Sequence, residues 1–248
     1  MQLTRVDDHV HLATGTNVNW ALVTEGDSVT LVDAGYPNDA GAVLESLAGI
    51  GKRPESVAAI VLTHAHLDHM GGIPTFTSRY GTPVYTGAEE ARHACREYLQ
   101  QITPGEMLGQ CRHLRGVQWV AQTLRAVLPH ARMALSEVNT AEFDVALDVP
   151  GRLVPVSVPG HTTGHTGYLM PDSGVFFSGD ALVTGHPLAT LGEGPQLLPG
   201  VFNTDEARMR TSLESLRDVR ADTLVPGHGP VARGSLADHV DAALRRGA

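Results

Sequence analysis

The chain has 248 residues, of which 42% are hydrophobic and 18% charged, and its formal net charge is −9. That balance excludes a disordered, collagenous or membrane-embedded chain, and no run approaches the ~20 apolar residues of a membrane span. An acidic chain with one lysine, Lys52, also lacks the clustered basic residues that bind nucleic-acid backbones.

Met1 to Asp8 carries acids where a signal peptide carries bases and has no apolar core, so a cytoplasmic protein is expected. Val18 to Thr24 and Val29 to Asp33 read as strands split by the turn-prone Glu25-Gly26-Asp27-Ser28. Asn38 or Asp39 can cap a helix that buries Val43, Leu44 and Leu47 and stops at Gly51. Val57 to Leu62 is a short continuous apolar run, as in a strand buried on both faces. From about 88 to 140 the pattern turns helical. Ala88 to Gln101 reads as a helix, and Val117, Val120, Leu124, Val127 and Leu128 form a helical stripe. This stretch is an expected helical insertion between two β-rich halves. Strands are then expected at Phe143–Val149, Leu153–Val158, Gly167–Met170, Val175–Ser178 and Thr223–Val225. Helices are expected at Asp205–Val219, with Met209, Leu213 and Leu216 on one face, and at Ser235–Arg246.

The chain holds 13 histidines, and their placement carries the chemistry. Thr63-His64-Ala65-His66-Leu67-Asp68-His69-Met70-Gly71-Gly72 puts three histidines and a carboxylate in six residues, directly after an apolar strand. Their nitrogen and oxygen donors suit divalent zinc and its neighbours. Asp33, His161, Asp180 and His228 each follow a strand and sit beside glycines. Each is weak alone, but together and in this order they form a strong signal. His165, four residues after His161, is expected to hydrogen-bond near the metal. The Gly-rich segment Thr184 to Pro199 could border the active site, although His186 itself reads as part of an ordinary surface loop, and His9, His11, His113, His130 and His239 as structural or solvated. Cys95 and Cys111 are too few for a disulfide framework and read as reduced, small apolar fillers.

These motifs resemble the metallo-β-lactamase superfamily from Asp33 to His228. The resemblance implies an α/β (α+β) fold, an αββα sandwich forming a single domain over 1–248. It implies two divalent metal ions, zinc first, with iron and manganese as alternatives. His64, His66 and His161 match one metal site, and Asp68, His69 and His228 match the other. Asp180 matches the carboxylate shared by both, and Asp33 a carboxylate that steadies a ligand histidine. Asp68 is also the expected catalytic residue. The implied reaction is attack of a metal-bridging hydroxide on an ester, lactone, thioester or related small-molecule substrate.

Several branches fit less well. Class B β-lactamases usually carry Cys or Ser in place of Asp180, and flavodiiron proteins replace the second histidine, here His66, with Glu. Glyoxalase II continues into a helical glutathione-binding region, whereas 20 residues follow His228 here. Some lactonases carry a catalytic Tyr three residues after the bridging Asp, where this chain has Val183; Thr184 or His186 could supply a polar group nearby. The alternative reading is a mononuclear iron enzyme like the persulfide dioxygenases, using His66, His161 and Asp180. The helical insertion is the expected selector of substrate, so that its removal would change substrate range and leave metal content intact.

Overall fold

The computed structural model describes residues 1–247. One sheet runs in chain order through β1 (Gln2–Arg5), β2 (Val10–Thr14), β3 (Asn19–Glu25), β4 (Ser28–Val32), β5 (Val57–Val61), β6 (Val84–Thr86) and β7 (Asn139–Thr140). Its first four strands are antiparallel, and β4 to β7 are parallel. The second sheet contains β8 (Val154–Ser157), β9 (Thr166–Met170), β10 (Val175–Gly179), β11 (Thr223–Pro226) and β12 (Ala232–Arg233), in the order β12-β11-β10-β9-β8. The helices are α1 (Ala40–Gly49), α2 (Leu67–Met70), α3 (Ile73–Tyr80), α4 (Ala88–Ala94), α5 (Pro104–Gly109), α6 (Leu114–Val127), α7 (Glu206–Ser215) and α8 (Leu236–Arg246).

Strand alternation builds the layers. Along β3, Leu22 packs with Val43 and Leu47 of α1 and Phe76 of α3, whereas Ala21 and Val23 face the other sheet. On β10, Phe177 faces the first sheet and Phe176 packs against Met209 and Leu213 of α7 and Val240 of α8. The β5 run is continuously apolar because Ile60 meets the helices and Val61 meets the second sheet. The result is helices, sheet, sheet, helices, the αββα arrangement the motifs imply. Asp205 and Ser235 cap α7 and α8 by accepting from Arg208 and Asp238 backbone N–H groups. Asp39 stands at the N-cap position of α1 but makes no side-chain cap bond; its carboxylate accepts from the Thr16 hydroxyl at 2.9 Å. No helix of the described residues is long and apolar enough to cross a membrane.

Three expectations are corrected. Phe143–Val149 is not a strand. Asp144 sits at φ 63°, which breaks the alternation, and Pro155 presents a carbonyl but no N–H on β8. Two single bonds remain, Asp144 N–H to the Pro155 carbonyl and Leu147 N–H to the Leu153 carbonyl, each 2.9 Å. The second correction concerns the helix over Ala88–Gln101, which stops at Ala94 because Arg96 turns left-handed at φ 61°. Finally, α6 buries Gly116, Trp119, Thr123, Ala126 and Val127, a face rotated from the expected stripe, and leaves Val117 and Leu124 exposed.

Candidate metal centre

The site forms where strand ends meet. The loop after β5 carries His64 and His66, and α2 carries Asp68 and His69. His161 follows β8, Asp180 follows β10 and His228 follows β11. A compact turn is needed after α2. A Cβ on Gly71 would lie 2.1 Å from the Pro37 nitrogen, so only glycine lets the helix close on that loop.

The seven side chains converge in two groups that share Asp180. The imidazole nitrogens His64 Nε2, His66 Nδ1 and His161 Nε2 stand 3.1 Å from one another. Asp68, His69 and His228 bring their donor atoms within 4.8 Å of one another. Asp180 lies between the groups, with Oδ2 3.6 Å from His161 Nε2 and 3.1 Å from His228 Nε2, and Oδ1 3.3 Å from His69 Nε2.

The outer nitrogens fix the tautomers. His66 Nε2–H donates to the Gln100 carbonyl at 2.8 Å, and His161 Nδ1–H to the Asn203 amide oxygen at 3.1 Å. His228 Nδ1–H donates to the Asn17 carbonyl at 2.6 Å, and His69 Nδ1–H to Asp33 Oδ2 at 2.8 Å. The Thr63 hydroxyl donates to Asp33 at 2.7 Å, so it accepts from His64 Nδ1–H at 3.1 Å. Each neutral ring therefore turns a bare lone pair inward. Three lone pairs at 3.1 Å cannot hydrogen-bond one another. Buried His69 Nε2 and Asp180 Oδ1 have no hydrogen-bond partner at all. Zinc–nitrogen bonds of about 2.0–2.1 Å set tetrahedral donors roughly 3.3–3.4 Å apart, close to the spacing of the first group. The donor set therefore fits divalent cations.

The charges agree. Burial, then the crowding of imidazoles, pushes His64 and His66 well below the ordinary histidine value. Burial also opposes charge on His69 and His228, but Asp180 outweighs it and both are raised. Burial would raise Asp180, yet His228 and His69 hold it well below the usual carboxylate range. Asp180 thus favours protons on His69 and His228 over the bare lone pairs, and a cation held there would take the place of those protons.

Asp33 holds the Thr63 backbone N–H at 2.8 Å as well as its hydroxyl and His69. His165 Nε2 accepts from the Asp180 backbone N–H at 3.1 Å. Glu90, fully buried on α4, was not foreseen. It accepts from the Ala65 N–H at 2.7 Å, His93 Nδ1–H at 2.7 Å and the Thr162 hydroxyl at 2.6 Å. His93 Nε2 in turn accepts the Gln100 N–H at 3.1 Å, and the Gln100 carbonyl holds His66. The insertion is thus tied into both ligand loops, and removing it would remove supports of His66, contrary to the expectation that metal content would survive. The Glu-x-x-His spacing of Glu90 and His93 was the available signal.

A cavity of about 50 Å³ opens on the cluster, lined among others by Tyr36, Asp68, Ile102, Trp119, Val127, His186, Leu198 and Phe202. His186 is therefore not part of an ordinary surface loop. Its ring is 5.1 Å from that of His228, because the segment after β10 folds back through the Val183–Gln196 bridge.

The model of the metallo-beta-lactamase superfamily matches residues 13–228. The chain is 26% identical over 215 residues to the probable metallo-hydrolase YflN of Bacillus subtilis (strain 168), covering 84% of this chain and 78% of that protein. It is 28% identical over 228 residues to a hydroxyacylglutathione hydrolase of Acidiphilium cryptum (strain JF-5), covering 91% and 70%. A solved metallo-beta-lactamase family protein from Thermus thermophilus superposes with a TM-score of 0.67 at 23% identity, covering 96% and 79%.

Proposed function

Since the chain belongs to the metallo-β-lactamase superfamily and is an enzyme of its metal-dependent kind, we propose that it is a single-domain cytoplasmic hydrolase. It would hold two divalent ions, preferably zinc, and cleave an ester, lactone, thioester or related small molecule. The carrying observation is the set of inward lone pairs on five histidines, arranged in two groups that share Asp180.

His64, His66 and His161 would hold one ion, Asp68, His69 and His228 the other, and Asp180 both. Ions bound there would lower the pKa of water and polarise a carbonyl oxygen. The chain supplies the rest. Asp33 and the Asn17, Gln100 and Asn203 oxygens keep the ligand rings in the required tautomers. Asp68, with 18% of its side chain exposed at the cavity, is placed to hold or pass a proton at its carboxylate. Trp119, Phe202 and Leu198 exclude water from the bound acyl group.

Elemental analysis of protein purified without added metal tests this reading. About two zinc ions per chain, with turnover of a lactone or thioester, is the expected result. About one iron per chain, with oxygen uptake on a persulfide, would replace it with the oxygenase reading. No metal after reconstitution would refute both.

A further inference from the structure

His186 lines the cavity but belongs to neither ligand group. Its ring lies edge-on to Phe202 at 5.0 Å and tilted to Trp119 at 6.2 Å. The Leu188 backbone N–H donates to His186 Nδ1 at 3.1 Å. Nδ1 is therefore the acceptor and the proton of the neutral ring sits on Nε2. Because the ring lines the cavity and Nδ1 is engaged within the loop, Nε2–H is the polar edge available to a bound molecule.

The walls say what the donor meets. Tyr36, Ile102, Trp119, Val127, Leu198 and Phe202 are aromatic or aliphatic, and among the described residues no lysine or arginine lines the cavity. The acids there are Asp68 and Asp180. Asp68 and Asp180 would be engaged by the ions, so a carboxylate lying away from the ions would find no side-chain cation in the walls, while an uncharged acyl chain would pack against the rings.

On the hydrolase reading above, we infer that His186 Nε2–H hydrogen-bonds an uncharged, apolar ester-type substrate and selects it over anionic analogues. Hydrolysis adds water across the acyl–sulfur or acyl–oxygen bond, giving a carboxylate and a thiol or alcohol, and needs no further reactant. The donor orients the substrate and takes no proton.

Two thioesters with one acyl group separate the possibilities: the octanoyl thioesters of N-acetylcysteamine, which is neutral, and of glutathione, which is anionic. The metal-loaded enzyme is expected to hydrolyse the neutral compound with at least about tenfold higher kcat/KM. His186→Phe keeps the ring contacts and removes the donor. It should lower kcat/KM on the neutral thioester about tenfold with metal content unchanged, and His186→Gln, which restores an N–H near Nε2, should recover most of it. Equal or better use of the glutathione thioester, or full activity in His186→Phe, overturns the inference and leaves the hydrolase reading standing. Quenching of tryptophan fluorescence by octanamide gives a readout independent of turnover. Binding weakened about tenfold in His186→Phe supports the donor, and unchanged binding removes it. If metal-loaded protein turns over neither thioester nor the matching ester and lactone, the hydrolase reading itself fails.

Discussion

Glu90→Ala should damage both stability and metal binding, and the structure sets the size of the effect. The carboxylate is fully buried and accepts from the Ala65 N–H, the His93 ring and the Thr162 hydroxyl. Alanine orphans all three donors in a dry interior. At about 1–3 kcal/mol for each orphaned donor, with the hydroxyl free to rotate to another acceptor, the loss is roughly 2–6 kcal/mol. That is a large share of the ~5–15 kcal/mol that holds a domain folded. Glu90→Gln keeps one oxygen for Ala65 and His93 and offers its amide to the Thr162 hydroxyl, so its loss should be about 1–2 kcal/mol. Urea denaturation of chelator-treated protein measures these losses without a contribution from bound metal. Zinc titration of the folded variants measures the second effect. Gln100 is held through His93 and itself holds His66, so affinity should fall about 10- to 100-fold. Glu90→Ala within about 1 kcal/mol of the parent would refute the stability reasoning. A destabilised variant with undiminished zinc affinity would refute the relay to His66.

Asp180→Ala or His161→Ala should fold, judged by circular dichroism, yet lose more than about 100-fold in metal affinity, beyond the range for losing an outer partner; retained metal and activity in either would break the assignment. Chelation should lower the melting temperature by about 8–16 °C, since an ion at 1,000 times its Kd contributes ~4 kcal/mol and each kcal/mol shifts a chain of this size by roughly 2–4 °C. His69 and His228 titrate above the ordinary histidine value in metal-free protein. Their contribution to stability is present below about pH 6.5 and lost as pH rises through the raised values. Metal must displace protons held there, so binding should release protons and tighten as pH rises. Calorimetry in buffers of different ionisation heat would show no such release if the two rings were neutral at the start.

Much of this was legible in the sequence because strand ends write themselves plainly. A continuous apolar run followed by His-x-His-x-Asp-His admits few structures, and Asp33, Asp180 and His228 each follow apolar residues that the sandwich buries. The helical insertion was readable as helical but not in its orientation. On α6 two apolar arcs compete, one through Trp119 and Val127 and one through Val117 and Leu124, and only the cavity decides which turns inward. Glu90 escaped notice because it stands beside Glu89 in the same helix, and only its three-residue spacing from His93 sets it apart. His186 escaped because its loop has no periodicity, and its place depends on pairing between Val183 and Gln196. Phe143–Val149 misled because alternation predicts a strand only where the neighbouring edge can complete the ladder.

The ligands divide between the two halves of the molecule. His64, His66, Asp68 and His69 hang from the first sheet, and His161, Asp180 and His228 from the second. Asn19 already stitches the halves at this end, donating through its side chain to the Pro226 and Gly229 carbonyls at 3.0 and 2.8 Å. Bound ions would rivet the same seam, joining segments from 95 to 160 residues apart in sequence. The seam is where the sheets must part for the molecule to come open, so a loaded centre sets the lifetime of the fold as well as its chemistry. A protease would then act as a clock: cutting should proceed slowly while the rivet is in place and quicken once a chelator draws it out.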